Sequence, residues 1–371
     1  MIRVDLVDPP AYSPPYDHAL ASALARAGAD VRLVTSRFAF AEPLPSAGYQ
    51  TEEFFYRHAR GAPGSPLRTL IKAVEHVPDT LRYRVSTTAE VVHFQWLTLP
   101  QIDLRLLPDR PTVLTIHDPM ARGLVDRFAP QARLLRALPA VIVHTDAARR
   151  ALTGLGLDPA RVHVIRHGAF THLVALAANA TLPAELTADV NPREQGPIAL
   201  YFGLIRPYKG LETLLDAWRG IEDAQLWVVG RPMFDIASLR RAAPSNVRFV
   251  ERFVSYPEAA ALYEHADVVV LPYASGARFG FSGVLASALG FGKPAVVSDV
   301  DGFAEVVKLG AARPVPAADV PALHAALQEL LSDPDERQKI AAAARAAAAG
   351  PYSWDRVATA TLELYDTIRT K

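Results

Sequence analysis

The feature that most limits how this chain can fold is a rhythm. Short, β-branched apolar runs alternate with helical patterns, and the series occurs twice. In the first half the runs are Ile2 to Val7, Val31 to Thr35, Val91 to Phe94, Thr112 to Ile116, Val141 to His144 and Val162 to Ile165. Each is short and bounded by turn residues, as strands buried on both faces of a parallel sheet are. Between the first two runs, "HALASALARAGADV" puts Leu20 and Leu24 on one helical face, with Gly28 placed to end the helix. That is a β-α-β opening.

The pattern restarts with Ile198 to Phe202, Leu226 to Val229, Val247 to Val250, Val268 to Leu271 and Ala295 to Ser298. The polar, proline-bearing stretch "NATLPAELTADVNPREQG" (179–196) lies between the two series and reads as a linker. Near the end, "QKIAAAARAAAAG" is an alanine-rich helix stopped by Gly350 and Pro351, and a last helix follows from about Trp354 to Ile368. A chain of 371 residues is too long for one ordinary core. The expectation is an α/β protein of two doubly wound domains, 1–185 and 190–353. Ligands of such sheets bind beyond the carboxyl ends of the strands, here in the cleft between domains.

Charge and composition remove several function classes. Lysine plus arginine equals aspartate plus glutamate at 39 each. A net charge of zero argues against nucleic-acid binding, which needs positive charge to displace counterions. The absence of cysteine excludes disulfides and cysteine-based metal sites. "MIRVDLVDPP" opens on a strand pattern without a signal-peptide layout, and no apolar run approaches the ~18 residues that span a bilayer. The expected location is cytoplasmic. The first turn, "DPPAYSPPYD", holds no glycine, so a dinucleotide fingerprint is missing.

Two stretches point to an anion. In "YFGLIRPYKGLETLL" (201–215), Arg206 and Lys209 flank the start of a helix whose Leu211, Leu214, Leu215 and Trp218 share a face. Unpaired amides and the helix dipole already favour an anion there, and a phosphate is the natural guest; the alternative is a solvated surface turn. In "FSGVLASALGFGKPAVVS" (281–298) a second helix opens at Ser282-Gly283-Val284. Ser282 is placed to cap it, while Gly283 allows close approach to the first-turn amides. An ordinary capped core helix is the alternative. Two anion sites in one domain suit the two phosphates of a nucleotide diphosphate.

These stretches, with "ADVVVLPY", "SDVDGFAEVV" and "YSWDRVATATLELY", resemble the donor-binding half of family 4 glycosyltransferases. "PPYDHALASALARAGADVRLVTS", "VVHFQW", "TIHD" and "VIRHG" are similar to the acceptor-binding half. The resemblance implies the GT-B architecture: two facing Rossmann-like domains, with the C-terminal helix 354–371 crossing back to the first. It implies a retaining hexosyltransferase of polysaccharide biosynthesis that needs no metal or other cofactor beyond its nucleotide-diphosphate sugar substrate. By the same resemblance Gly203, Arg206 and Lys209 would hold the donor pyrophosphate, and the amides of Ser282, Gly283 and Val284 its distal phosphate. Charge building on the departing diphosphate would be stabilised by these fixed groups. His117, in "TVLTIHDPM", would line the cleft beside the donor sugar as a sugar and transition-state contact; pairing with Asp118 is its alternative. The family's two donor-site glutamates fall here on Phe279 and Ser287, leaving ribose contact to Ser287 or a backbone group. Glu305 matches a common family glutamate and is a further pocket candidate. Asp299-x-Asp301 superficially looks like the metal-binding pair of another fold, a reading disfavoured because the domain already carries cationic phosphate ligands.

Weaker signals remain. Tyr16 and Asp17 lie where acceptors enter in similar enzymes, with helix N-capping as the plainer role for Asp17. Arg166 and His167 end the first domain toward the cleft, and an interface ion pair is as good a reading of them. His93 and Trp96 close a strand, with core packing favoured for Trp96. "PLRTLIKAVEHV" (66–77) has Leu67, Leu70, Ile71 and Val74 on one side. It reads either as a helix covering the sheet or as a peripheral contact with the inner membrane surface, where a lipid-linked or glycan acceptor would be met. The rival functions are an epimerase of nucleotide sugars on the same fold and a non-catalytic nucleotide-sugar-binding protein. Missing glutamates count against the first and motivate the second.

Overall fold

The computed structural model describes residues 1–117, 135–187, 196–275 and 280–370. Asp118 and Phe279, both named above, lie outside them. The chain forms two compact units: Met1–Gly168 with Ser353–Lys371, and Ala169–Tyr352.

The first unit is built on a parallel sheet ordered β3-β2-β1-β4-β5-β6-β7. Its strands are β1 (Arg3–Asp8), β2 (Asp30–Ser36), β3 (Gln50–Phe55), β4 (Val91–Phe94), β5 (Thr112–Thr115), β6 (Ala140–Val143) and β7 (Val162–Val164). The second sheet is ordered β10-β9-β8-β11-β12-β13. It contains β8 (Ile198–Phe202), β9 (Gln225–Val229), β10 (Val247–Val250), β11 (Val268–Leu271), β12 (Ala295–Ser298) and β13 (Arg313–Val315). Both orders reverse beside the first strand of their unit, β1 and β8, as in a Rossmann-like sheet. Apolar clusters cover both faces of the second sheet, with Trp227 and Leu271 in one and Trp218, Leu214 and Leu327 in the other. Each such side chain contributes on the order of 1.5–3 kcal/mol through burial.

Two strands escape the sequence reading, β3 and β13, and both are edge strands. β3 reads Gln-Thr-Glu-Glu-Phe-Phe, and β13 carries Pro314. An edge strand buries less and tolerates proline, so it needs no apolar run.

Residues 169–185 were assigned to the first domain and belong instead to the second unit. The backbone explains this. Phe170 N–H donates to the Ala286 carbonyl (3.0 Å), and Ala169 N–H to that of Tyr352 (2.8 Å). The 3-10 segment Thr171–Asn179 packs on the helices Tyr256–His265 and Gly283–Gly290, and Leu186 sits in the core. Leu186 thus anchors the described part of the stretch read as a linker to the second unit's core.

Helix α1 (Pro14–Arg26) follows β1, with Gly28 just past its end at φ +95°. The closing helix, Trp354–Arg369, packs on α1 within the first unit. Its Tyr365 hydroxyl lies 2.6 Å from Nδ1 of His93, whose Nε2 is 2.7 Å from the Thr115 hydroxyl. His93 is thus a structural tie. Helix α2 (Pro66–Ser86) turns His76, Asp79, Thr80 and Tyr83 inward. Leu67, Leu70 and Val74 are 59–67 % exposed, so this apolar side does not cover the sheet.

Candidate functional site

In the second unit the chain leaves β8 through Gly203 (φ +95°) and enters a 3-10 turn at Pro207–Lys209. Gly210 follows at φ +69°, where a Cβ would collide with the Pro272 carbonyl. Only glycine allows the basic turn to sit this close to the end of β11. Lys209 is largely buried, with Nζ 5.7 Å from the centre of the Tyr273 ring. A Cβ on Gly203 would stand 3.1 Å from that Nζ and 3.3 Å from Cγ2 of Val284. Strand end, basic turn and helix start therefore converge. Arg206 begins the turn and is half-buried.

The helix Gly283–Gly290 has no side-chain cap. The Ser282 hydroxyl, expected to provide one, lies 3.1 Å from the Tyr273 hydroxyl instead. The first-turn amides thus lack a capping oxygen at the helix end that meets Gly203 beside Lys209, an arrangement that favours an anion. Ser287 is buried and donates its hydroxyl to the Gly283 carbonyl (3.1 Å), which commits that group inside the helix. Glu305 is half-buried in the first turn of the helix Ala304–Lys308. No group of three or more metal-type ligands occurs among the described residues, Asp299 and Asp301 included.

In the first unit, polar and aromatic side chains line the carboxyl ends of successive strands. His117 follows β5, His144 follows β6 and His167 follows β7. Trp96, after β4, stacks on His117 (4.8 Å, 14°) and donates its indole N–H to the Ser13 hydroxyl at 2.8 Å. Trp96 is therefore a half-buried lining residue rather than a core residue. Tyr16 of α1 sets its ring edge on His117 at 4.7 Å and also meets His167 (4.9 Å) and Trp354 (5.2 Å). Gly168 leaves room for the Trp354 indole, where any Cβ would collide.

Hydrogen-bond partners fix the protons of two of these histidines. Nδ1 of His144 is 2.9 Å from the Ile165 carbonyl, which can only accept, so this nitrogen carries the hydrogen. Burial lowers the His144 pKa to about 4, so the ring is neutral and its Nε2 is a bare acceptor. That Nε2 lies 3.1 Å from Nδ1 of His117, which must donate. His117 is itself held well below the usual histidine range by burial and then by His144, His167 and His93. Its Nε2 is consequently a lone pair, buried and without a partner among the described residues.

Asp17 is wholly buried inside the first turns of α1 and is not the N-cap, which is Ser13. The Ser13 hydroxyl is 3.4 Å from its carboxylate, and Ser13 N–H donates to Oδ2 of Asp8 (3.2 Å). Burial pushes Asp8 up to about 6, and burial with the neighbouring Asp8 charge pushes Asp17 well above the carboxylate range. Burial, then His144, brings His167 down to about 3, with Nδ1 2.8 Å from the Gly168 carbonyl. Arg166 is exposed.

The sequence reading named Tyr16, Asp17, His117 and His167, and these lie together. It missed His144, Asp8 and Gln95. One signal could have found His144: "TIHD", "VIVHT" and "VIRHG" each set a histidine just past an apolar run.

Comparison with known proteins bears on both units. Residues 16–173 match the family model described as Glycosyltransferase Family 4, and residues 196–333 match that of Glycosyl transferases group 1. A phosphatidyl-myo-inositol mannosyltransferase of Mycobacterium leprae is 36% identical over 184 residues, a match spanning 47% of this chain and 48% of that protein. A glycogen synthase of Mycobacterium tuberculosis is 29% identical over 94% of this chain and 89% of its own length. Among solved structures, sucrose-phosphate synthase from Thermosynechococcus elongatus superposes with a TM-score of 0.73 at 21% identity, covering 99% of each chain. Anabaena HepE, solved with UDP and glucose, gives 0.72 at 17% identity over 99% of this chain and 100% of that one. These two share the fold.

Proposed function

The chain belongs to the family 4 glycosyltransferases, and on that premise we propose that it moves a hexosyl group from a nucleotide-diphosphate sugar to an acceptor hydroxyl, with retention of configuration and without a metal. The anomeric carbon–phosphate oxygen bond breaks, the bond to the acceptor oxygen forms, and the acceptor proton leaves on a phosphate oxygen of the departing diphosphate.

The convergence of Gly203, Lys209 and Val284 carries this reading. Lys209 and Arg206 would neutralise the leaving diphosphate, and the uncapped amides at Gly283 and Val284 would take its distal phosphate. These groups supply the stabilisation that a divalent cation gives elsewhere. With the Ser287 hydroxyl committed inside its helix, ribose contact falls to a backbone group. The partnerless lone pair on His117 suits a hydroxyl of the donor sugar, which would donate to it.

A thermal-shift panel of nucleoside diphosphates and their sugars, with and without EDTA, tests the proposal. Stabilisation by one base, unchanged by EDTA and lost in Lys209→Ala, is expected. No shift with any of them would remove the basic turn as a phosphate site.

The acceptor belongs to the first unit in this reading. Relatives named phosphatidyl-myo-inositol mannosyltransferases support a polyol, free or lipid-linked. Among the described residues no helix is long and apolar enough to cross a membrane. A peripheral contact from the cytoplasmic side would use the outward Leu67, Leu70 and Val74 of α2. Sedimentation with anionic vesicles, lost in Leu70→Glu, checks it.

A further inference from the structure

Several buried side chains of the first unit hold polar atoms that find no partner among the described residues, and two of them are neighbours across adjacent strands. Both amide atoms of Gln95 lack one, and Oδ1 of Asp8 meets no N–H donor, its carboxylate being hydrogen-bonded to the Asp17 carboxyl. Both residues are 0 % exposed. They follow adjacent strands: Val7 pairs with Phe94, so Asp8 and Gln95 stand side by side in the next register row. Gln95 N–H donates to the Val7 carbonyl at 2.8 Å, which carries the pairing one residue past Phe94, and neighbouring strands stand about 4.8 Å apart.

Buried polar groups are almost always satisfied, so a glutamine amide that is not, standing beside a buried acid pair with an oxygen to spare, calls for a ligand or an ordered water. The chemistry narrows which. Gln95 offers two donors and an acceptor, while an ionised Asp8 only accepts. A hydroxyl both gives and takes, and so answers both neighbours at once. An anion is disfavoured, because the Asp17 carboxyl is hydrogen-bonded to that of Asp8 and meets Ser13 in the same corner. A bare cation leaves the amide donors of Gln95 unanswered. Beside the pair, Trp96 and the 46 % exposed Tyr12 meet edge to face at 5.5 Å. Such rings supply the apolar wall against which the C–H face of a sugar packs.

We propose that Asp8 and Gln95 bind neighbouring hydroxyls of an uncharged polyol ring, a sugar or cyclitol, and so select the acceptor. This rests on the glycosyl-transfer reading above. Because both residues are fully covered, the ligand enters by lifting the turn Pro9–Ser13. That turn is held down by Ser13 N–H on Asp8 and by Trp96 N–H on the Ser13 hydroxyl. It contains Ala11 at φ +55°, a conformation that L residues with a side chain seldom adopt.

Gln95→Leu tests the assignment in the full chain, since it keeps the bulk of the side chain and removes every polar atom. Calorimetric titration with myo-inositol, D-glucose, D-mannose and inorganic phosphate gives one readout, and the melting temperature gives the other. Expected is binding of at least one neutral polyol by the parent protein, weakened at least tenfold in Gln95→Leu, with a melting temperature unchanged or raised. A marked fall in melting temperature would overturn the proposal, because the amide would then be a structural group bridged by water. Binding of none of the three polyols, or of phosphate alone, would also overturn it. The nucleotide-induced thermal shift in the same samples reports on the second unit independently. If that shift is missing in the parent protein while a polyol binds, the donor reading fails and this one stands.

Discussion

Nε2 of His144 lies 3.1 Å from Nδ1 of His117, and the other nitrogen of His144 is tied to the Ile165 carbonyl at 2.9 Å. A main-chain oxygen thus sets, through two rings, the state of the nitrogen that His117 presents. Long-range proton–nitrogen NMR should find Nδ1 of His117 protonated and Nε2 bare at neutral pH. In His144→Phe the Nδ1 partner is lost, and both tautomers of His117 should appear. Catalytic turnover should fall with it, by up to about a hundredfold, the scale of a misplaced contact.

Lys209→Ala should lower kcat about a hundredfold, equivalent to roughly 3 kcal/mol of transition-state stabilisation. Arg206→Ala should follow in the same direction. Steady-state kinetics on a matched donor and acceptor decides it. A loss smaller than about threefold for both variants would mean that neither cation meets the departing diphosphate.

Gly203 and Gly28 make a controlled pair, since both sit at φ +95°. Replacement by alanine costs each about 1–3 kcal/mol of backbone strain. Around Gly28 nothing lies within 4 Å, whereas a Cβ on Gly203 presses on Lys209 and Val284. Gly28→Ala should therefore lose stability and keep its activity. Gly203→Ala should lose both, with the drop in kcat/KM exceeding what the unfolded fraction explains.

Acid should destabilise the first unit. His93, His144 and His167 are buried and neutral, at about 3, 4 and 3 against an ordinary 6.5. The unfolded chain takes up these protons first, so the stability present above pH 6.5 is lost as pH falls toward 4. Each histidine contributes on the order of 3 kcal/mol. Asp8, raised from 3.8 to about 6, works in the opposite sense, because the folded form keeps its proton between those values. Three histidines outweigh Asp8 and Asp17, so the urea midpoint should drop between pH 6.5 and 4. His144→Phe should show a shallower slope.

The central strands and the basic turn were legible for the same reason: their signal is local. A strand such as Val268–Leu271 is apolar on both faces, and Arg206 to Lys209 spans four consecutive residues. Edge strands β3 and β13 carry no such signal. Nor do Asp8 and Gln95, which are remote in sequence and are brought beside one another only by the strand order. Ser287 and Ser282 show a further limit. Hydroxyls that read as ligand contact and cap were taken by a helix carbonyl and by Tyr273, a choice that depends on side-chain rotamers.

The return of Ser353–Lys371 to the first unit sets an order on biosynthesis. A nascent chain translated through Tyr352 already holds every residue of the second unit, which can close while the first still lacks Trp354 against Tyr16 and Tyr365 against His93. The half of the protein made first is thus the last to be completed. Premature termination in the final helix would leave a chain whose second unit is whole and whose first has lost the support beneath its histidines.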